Sequence, residues 1–177
     1  MDDEENIFEK LQNGEERLPE SDRLMYEADL LINAPEITLD SWIAAGFKQF
    51  IIHLESTDDM GGIISRLRSA GVGVGIAFKP STSNDKLAPY INAIDFVQCM
   101  GNDLVGQAGV PLDPLVLDKI RDLRKKFPDL PLGVDIGVST ETAPELIAAG
   151  ATRLAAGSAI FKSEDPERAI RKLAGES

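Results

Sequence analysis

The chain has 177 residues, 43% hydrophobic and 27% charged, ordinary values for a globular protein able to bury a real core. Its formal net charge of −12 repels nucleic-acid phosphates and anionic membranes, so neither is expected as a partner. A lone cysteine, Cys99, excludes an internal disulfide framework and a cysteine-based zinc cluster, and fits a reducing compartment. No run approaches the ~18 apolar residues of a membrane span, and the acidic start Met1-Asp2-Asp3-Glu4-Glu5 is no secretory leader, so the cytoplasm is the expected location.

Residues 1–26 are polar, with a helix expected around Asn6 to Gln12, a connection through Pro19 and no credible strand. From residue 27 to 177 short apolar runs alternate with amphipathic segments, the pattern of successive βα units around a parallel sheet. The chain thus divides into a polar N-terminal segment, 1–26, and a partial barrel, 27–177. In chain order the pattern predicts a strand from Ala28 to Ile32, a helix from Leu39 to Ala45, a strand from Gln49 to Glu55, and a helix from Met60 to Ala70. A strand from Val72 to Phe78, a helix from Asp85 to Ala93, a strand from Phe96 to Met100 and a helix from Pro114 to Phe127 follow. The last elements expected are a strand from Leu132 to Val138, a helix from Glu141 to Ala149, a strand from Arg153 to Ala159 and a helix from Pro166 to Leu173. The strands are rich in Val, Ile and Leu, which suggests burial on both faces.

Turn residues agree with this order. Gly46, Gly71 and Gly150 stand where left-handed helix C-caps belong, and Ser139 and Thr140 are N-cap candidates for the helix near Glu141. The helix after Pro114 places Leu117, Ile120, Leu123 and Phe127 on one face and Arg121, Arg124, Lys125 and Lys126 on the other. In so acidic a chain that basic face reads as solvated rather than as a nucleic-acid contact.

Two stretches carry the chemistry. Gly133-Val134-Asp135-Ile136-Gly137-Val138 and Arg153-Leu154-Ala155-Ala156-Gly157-Ser158-Ala159-Ile160-Phe161 each read as an apolar strand that opens into glycine and then a helix. They look like the last two strands of a TIM (β/α)8 barrel built to hold a phosphate on backbone N–H groups. A side chain at those turns would block the ligand's close approach, which suits Gly137, Gly157 and the small Ser158. The length falls short of the roughly 250 residues of such barrels by about two βα units. The expected fold is an α/β barrel of this type, incomplete in this chain, with about six units.

From about Tyr26 to Leu173 the sequence resembles the ribulose-phosphate 3-epimerase family, in a divergent branch. The family's third strand, a His-Leu-Met-Val type motif followed by Pro-Glu, corresponds to Asp29-Leu30-Leu31-Ile32 and Pro35-Glu36. The fourth is echoed by His53-Leu54-Glu55-Ser56, the fifth by Gly75-Ile76-Ala77-Phe78-Lys79-Pro80-Ser81-Thr82, and the sixth by Val97-Gln98-Cys99-Met100. Its glycine-rich loop survives in part as Gly106-Gln107-Ala108-Gly109, and its seventh and eighth motifs are the two stretches above, with Ile136 replacing a family glycine. The resemblance implies a ribulose-phosphate-binding barrel that epimerises D-ribulose 5-phosphate, a phosphorylated ketopentose, to D-xylulose 5-phosphate in the pentose phosphate pathway.

It further implies a divalent cation (Zn, Fe, Mn or Co) held by two histidines and two aspartates, the aspartates serving as opposed acid and base. By that correspondence Asp135 is both a metal ligand and a catalytic proton shuttle, and Asp29 takes the place of a ligand histidine. Gly137, Val138, Gly157, Ser158, Gly106 and Gly109 would hold the phosphate, and Met100 and Leu31 would line the floor. The family's first two strands, which supply a serine, one metal histidine and the second catalytic aspartate, have no counterpart in residues 1–26.

Read without the family, Asp135 in an apolar strand points to a functional cleft, because an unpaired buried carboxylate costs several kcal/mol. Asp29 reads equally as a contact for metal or substrate and as a solvent-facing strand end. His53, the only histidine, reads as a structural, hydrogen-bonded residue with Glu55 as a neighbour; Cys99 and Trp42 read as packing. Three functions stay open: an epimerase slowed by the missing strands, a non-catalytic or altered phosphosugar-binding protein that kept only the phosphate cup, and a decarboxylase or aldolase on the same barrel. The last lacks a lysine nucleophile, Lys79 excepted. The bare sheet edges are expected to be covered by residues 1–26, by a further N-terminal segment, or by a second copy in a homo-oligomer.

Overall fold

Hydrophobic strands buried on both faces need helices beside them, and the chain supplies them in alternation. The computed structural model describes residues 7–107 and 109–176; the acidic start, Asn6 and Ala108 fall outside the described residues. Its six strands are β1 (Glu27–Leu30), β2 (Gln49–His53), β3 (Gly73–Phe78), β4 (Phe96–Met100), β5 (Leu132–Asp135) and β6 (Arg153–Leu154). The helices are α1 (Ile7–Gln12), α2 (Leu39–Ala45), α3 (Met60–Ser69), α4 (Leu115–Lys126), α5 (Ala143–Ala149), α6 (Gly157–Phe161) and α7 (Pro166–Leu173). Strand order in the sheet follows the chain, with β1–β2, β4–β5 and β5–β6 paired in parallel. The chain forms two compact units divided between Ile76 and Ala77.

In the N-terminal unit, β1 turns Ala28 and Leu30 inward and Glu27 and Asp29 outward, whereas Phe50, Ile51 and Ile52 of β2 are all buried. α3 buries Met60, Ile63, Ile64 and Leu67, one face of a 3.6-residue repeat, and Asp59 caps it by accepting the Gly62 N–H at 3.1 Å. α2 ends at Gly46 with φ 113°, the left-handed cap expected of that glycine. α1 lies against α2 and buries Leu11, and the connection is tied down by the Leu18 N–H donating to the Ala45 carbonyl at 3.0 Å. Trp42 packs edge-on to Phe47, ring centroids 5.6 Å apart.

In the C-terminal unit every residue of β4 is buried. Among them is Cys99, whose thiol burial pushes up to about 12 against a smaller opposing pull from Lys119. A thiol that is both buried and kept protonated does not react. Cys99 is therefore expected to resist a disulfide reagent in the native protein and to react fully in denaturant; a native reaction as fast as the denatured one would contradict its burial.

Three expectations are corrected here. The helix from Asp85 to Ala93 is instead two 3-10 turns, Asn84–Leu87 and Ile91–Ala93. Pro89 lacks an N–H, and its ring in an α-helix would collide with the Asp85 carbonyl; that carbonyl accepts the Ala88 N–H instead, at 3.1 Å. The strand from Arg153 to Ala159 stops at Leu154, because its partner β5 ends one residue beyond their last pair, Val134 with Leu154, and Gly157 to Phe161 turn into α6. Arg124 leaves the solvated basic face: its guanidinium donates to the Gly150 carbonyl at 2.8 and 3.2 Å and to the Leu130 carbonyl at 2.9 Å, tying the end of α4 to the end of α5. On the same helix Arg121 pairs with Asp118, and Lys126 with Asp85 and Asp122.

Candidate functional site

Parallel βα sheets place their chemistry at the C-terminal strand ends, where the turns lead into helices. Asp135 is the last residue of β5, half-buried, opposite the buried Met100 in the β4–β5 register. Its Oδ1 accepts the N–H of Ile136 at 2.8 Å, which fixes the carboxylate at the head of the turn. Directly after it the backbone enters the left-handed region twice, at Ile136 (φ 73°) and Gly137 (φ 71°). For a β-branched residue that conformation is an outlier costing about 1–2 kcal/mol, so the substituted family glycine leaves backbone strain next to Asp135.

Gly137 must be glycine for a second reason. A Cβ there would lie 2.5 Å from the Leu112 nitrogen and 2.6 Å from its Cα. The loop after β4 is thereby held against the loop after β5, and two further hydrogen bonds fasten it: Gly101 N–H to the Asp135 carbonyl at 2.5 Å and Asp113 N–H to the Gly101 carbonyl at 2.7 Å. Val138 is buried. Ser139 acts as expected of a cap: its hydroxyl oxygen accepts the N–H groups of Glu141 and Thr142 at 3.2 and 3.3 Å, although α5 itself begins later than expected, at Ala143. Gly106 (φ 82°) and Gly109 (φ 77°) are exposed in the loop after β4, with open space around them.

After β6, Gly157 and Ser158 open α6 with no side-chain cap, and a Cβ on Gly157 would meet nothing within 4 Å. The first N–H groups of a helix have no intrahelical acceptor and are therefore available to an anion. Ser158 shares a cleft of about 510 Å³ with Thr140, Lys162, Ser163, Arg168 and Lys172, and with the acids Glu164 and Asp165. These cations escaped the sequence reading, which looked for amides alone. The spacing of Arg168 and Lys172, one turn apart on α7 just past the second glycine motif, was the available sign.

In the N-terminal unit Asp29 and His53 stand at the ends of β1 and β2, His53 Nε2 2.9 Å from Asp29 Oδ1. The imidazole is 7% exposed and the carboxylate 28%. His53 is thus buried and hydrogen-bonded as expected, with Asp29 rather than Glu55 as the partner found here. Leu31, expected in the floor, is exposed. Among the described residues no three His, Cys, Asp or Glu side chains gather where they could hold a metal ion. Asp135 and Asp29 do not make up a ligand set, so the donors present do not fit the divalent cation that the resemblance implies.

A model of the Ribulose-phosphate 3 epimerase family matches residues 12–161. The chain belongs to this family. It is 35% identical over 148 residues to the ribulose-phosphate 3-epimerase of Schizosaccharomyces pombe, a match covering 84% of this chain and 64% of that one. To the enzyme of the same name from Bacillus subtilis it is 30% identical over 157 residues, 86% of this chain and 72% of that one. The chain thus spans less than two thirds of the first of these relatives. Among solved structures, a 3-hexulose-6-phosphate synthase aligns with TM-score 0.61 at 25% identity, over 85% of this chain and 73% of that one. KGPDC from Streptococcus mutans, solved in complex with D-ribose 5-phosphate, aligns with TM-score 0.68 at 15% identity, over 87% and 72%; at that identity the likeness is one of fold alone. The fold is that of a TIM-type barrel, represented in this family member by six parallel strands.

Proposed function

We propose that this chain acts as an isomerase of the ribulose-phosphate 3-epimerase type, converting D-ribulose 5-phosphate to D-xylulose 5-phosphate by acid/base proton transfer, in the cytoplasm. The observation that carries the reading is the half-buried Asp135 at the head of a turn whose neighbour, across the β5–β6 pair, opens into an uncapped helix start beside a cationic cleft. In this reading the N–H groups of Gly137, Val138, Gly157 and Ser158 hold the phosphate, with Gly106 and Gly109 closing over it and Met100 behind Asp135. Lys162, Arg168 and Lys172 supply a local positive field in a chain of net charge −12. Asp135 takes the proton from the carbon beside the ketose carbonyl. No step is routed through a metal, since the donors described do not complete a site.

The incomplete donor set also favours the second reading, a phosphosugar-binding protein without full catalysis. Epimerisation needs one proton-transfer group on each face of the carbon, and each is worth about 10²- to 10⁴-fold. With one group assigned, turnover is expected at least about a hundredfold below that of a full-length relative.

Binding separates both readings from a chain with no phosphate cup. Gly157→Asp brings a carboxylate to a position with open space around it, so the fold should survive while like charge repels the ligand. Calorimetric titration with D-ribulose 5-phosphate should show binding to the unmodified chain and none to this variant. Equal affinities would place the phosphate elsewhere. No helix among the described residues is long and apolar enough to cross a membrane, and the remaining partner proposed is a second copy, or a further N-terminal segment, over the sheet edges. Residues 1–26 are proposed as a segment separate from the barrel that starts at residue 27.

A further inference from the structure

Asp29 occupies the position where the resemblance expects a metal-binding histidine, and what it touches is the chain's own imidazole. His53 Nε2 lies 2.9 Å from Asp29 Oδ1. An ionised carboxylate can only accept, so Nε2 carries the proton and donates it. The nitrogen lone pair a cation would need at that position is thereby used, in a ring only 7% exposed. Asp29 is the partner that reaches outward, 28% exposed at the C-terminal end of β1. The geometry matches the carboxylate–histidine arrangement by which proteins orient a reactive group through a hydrogen bond, here without any ion.

We propose that Asp29 and His53 form a metal-independent carboxylate–imidazole pair, in which His53 is a positioning residue that aims Asp29 at a hydroxyl of the sugar part of a sugar phosphate. The sugar-contacting role rests on the phosphosugar reading above; the pair itself does not. A carboxylate held this way accepts a hydrogen bond from a polyol in a fixed direction, and a hydrogen bond to a charged group is among the stronger polar contacts a ligand can make.

Because His53 is the only histidine, nitrogen NMR of the labelled chain reads one imidazole ring with no assignment needed. Nε2 should be the protonated nitrogen, excess Zn²⁺ should leave the ring resonances in place, and Asp29→Ala should abolish the fixed tautomer. Movement of Nε2 to a metal-bound position, or an identical tautomer in Asp29→Ala, would overturn the pair. For the sugar-contacting role, affinities for D-ribulose 5-phosphate and for inorganic phosphate are compared. His53→Phe and Asp29→Ala should each weaken the sugar phosphate about tenfold and leave inorganic phosphate unchanged, and His53→Gln, which keeps an N–H donor, should recover part of the loss. Unchanged sugar-phosphate affinity in both variants would overturn the role. If the unmodified chain binds neither ligand, the phosphosugar reading fails together with the sugar-contacting role, and the ring spectrum still decides the pair.

Discussion

Asp135→Asn is expected to remove about 10²- to 10⁴-fold of whatever epimerase turnover the chain has, with little change in stability. The two side chains have the same shape, and the asparagine oxygen can still accept the Ile136 N–H that Asp135 Oδ1 now accepts at 2.8 Å. What the amide cannot do is take a proton. The half-buried setting of Asp135 beside Met100 makes it the assigned group at this strand end, and the adjoining strained turn at Ile136 holds its direction. A coupled assay for D-xylulose 5-phosphate, run beside a melting curve on both proteins, separates loss of chemistry from loss of fold. Turnover unaffected by the substitution would move the chemistry away from Asp135.

Gly101→Ala is expected to be the most destabilising single methyl group in the C-terminal unit, at about 3 kcal/mol or more. A Cβ there would stand 1.8 Å from the Ile136 carbonyl oxygen and 2.8 Å from its carbon. Both are backbone, and Gly101 is pinned on each side, its N–H on Asp135 and its carbonyl on the Asp113 N–H. Neither strand end can step aside without breaking those hydrogen bonds. At roughly 2–4 °C per kcal/mol for a chain of this size, the melting temperature should fall by about 10 °C. Gly157→Ala is the control: with nothing within 4 Å of its Cβ, it should stay within about 0.5 kcal/mol of the unmodified protein. A Gly101→Ala protein as stable as the control would show that the loops after β4 and β5 are free to part.

The elements most legible in the sequence are those fixed by local chemistry. α2 runs from Leu39 to Ala45 and α7 from Pro166 to Leu173, both as expected, because a glycine cap stops the first and Asp165 with Pro166 starts the second. β4 also keeps its expected bounds, Phe96–Met100, since its apolar run is bounded by Asp95 and Gly101. The strand ends were less legible. β5 stops at Asp135 rather than Val138 because Ile136 leaves the extended region, and a β-branched residue gives no sign in sequence that it will do so. β2 likewise stops at His53, whose carbonyl accepts the Ser56 N–H at 2.9 Å to close a turn.

For the candidate site, the sequence by itself determined the residue types and their order: Asp135 and the glycines after it, then Gly157 and Ser158, in the spacing of two consecutive βα turns. That order follows from chain connectivity, which a sequence states directly. Only the tertiary structure decided which side chains meet. Asp29 and His53 are 24 residues apart and come within 2.9 Å because β1 and β2 pair in parallel, Asp29 opposite Ile51. Lys162, Arg168 and Lys172 join Ser158 and Thr140 around one cleft because α6 turns where β6 loses its partner. Distance along the chain says nothing about such meetings, which are set by strand register and by the direction in which each turn sends its helix.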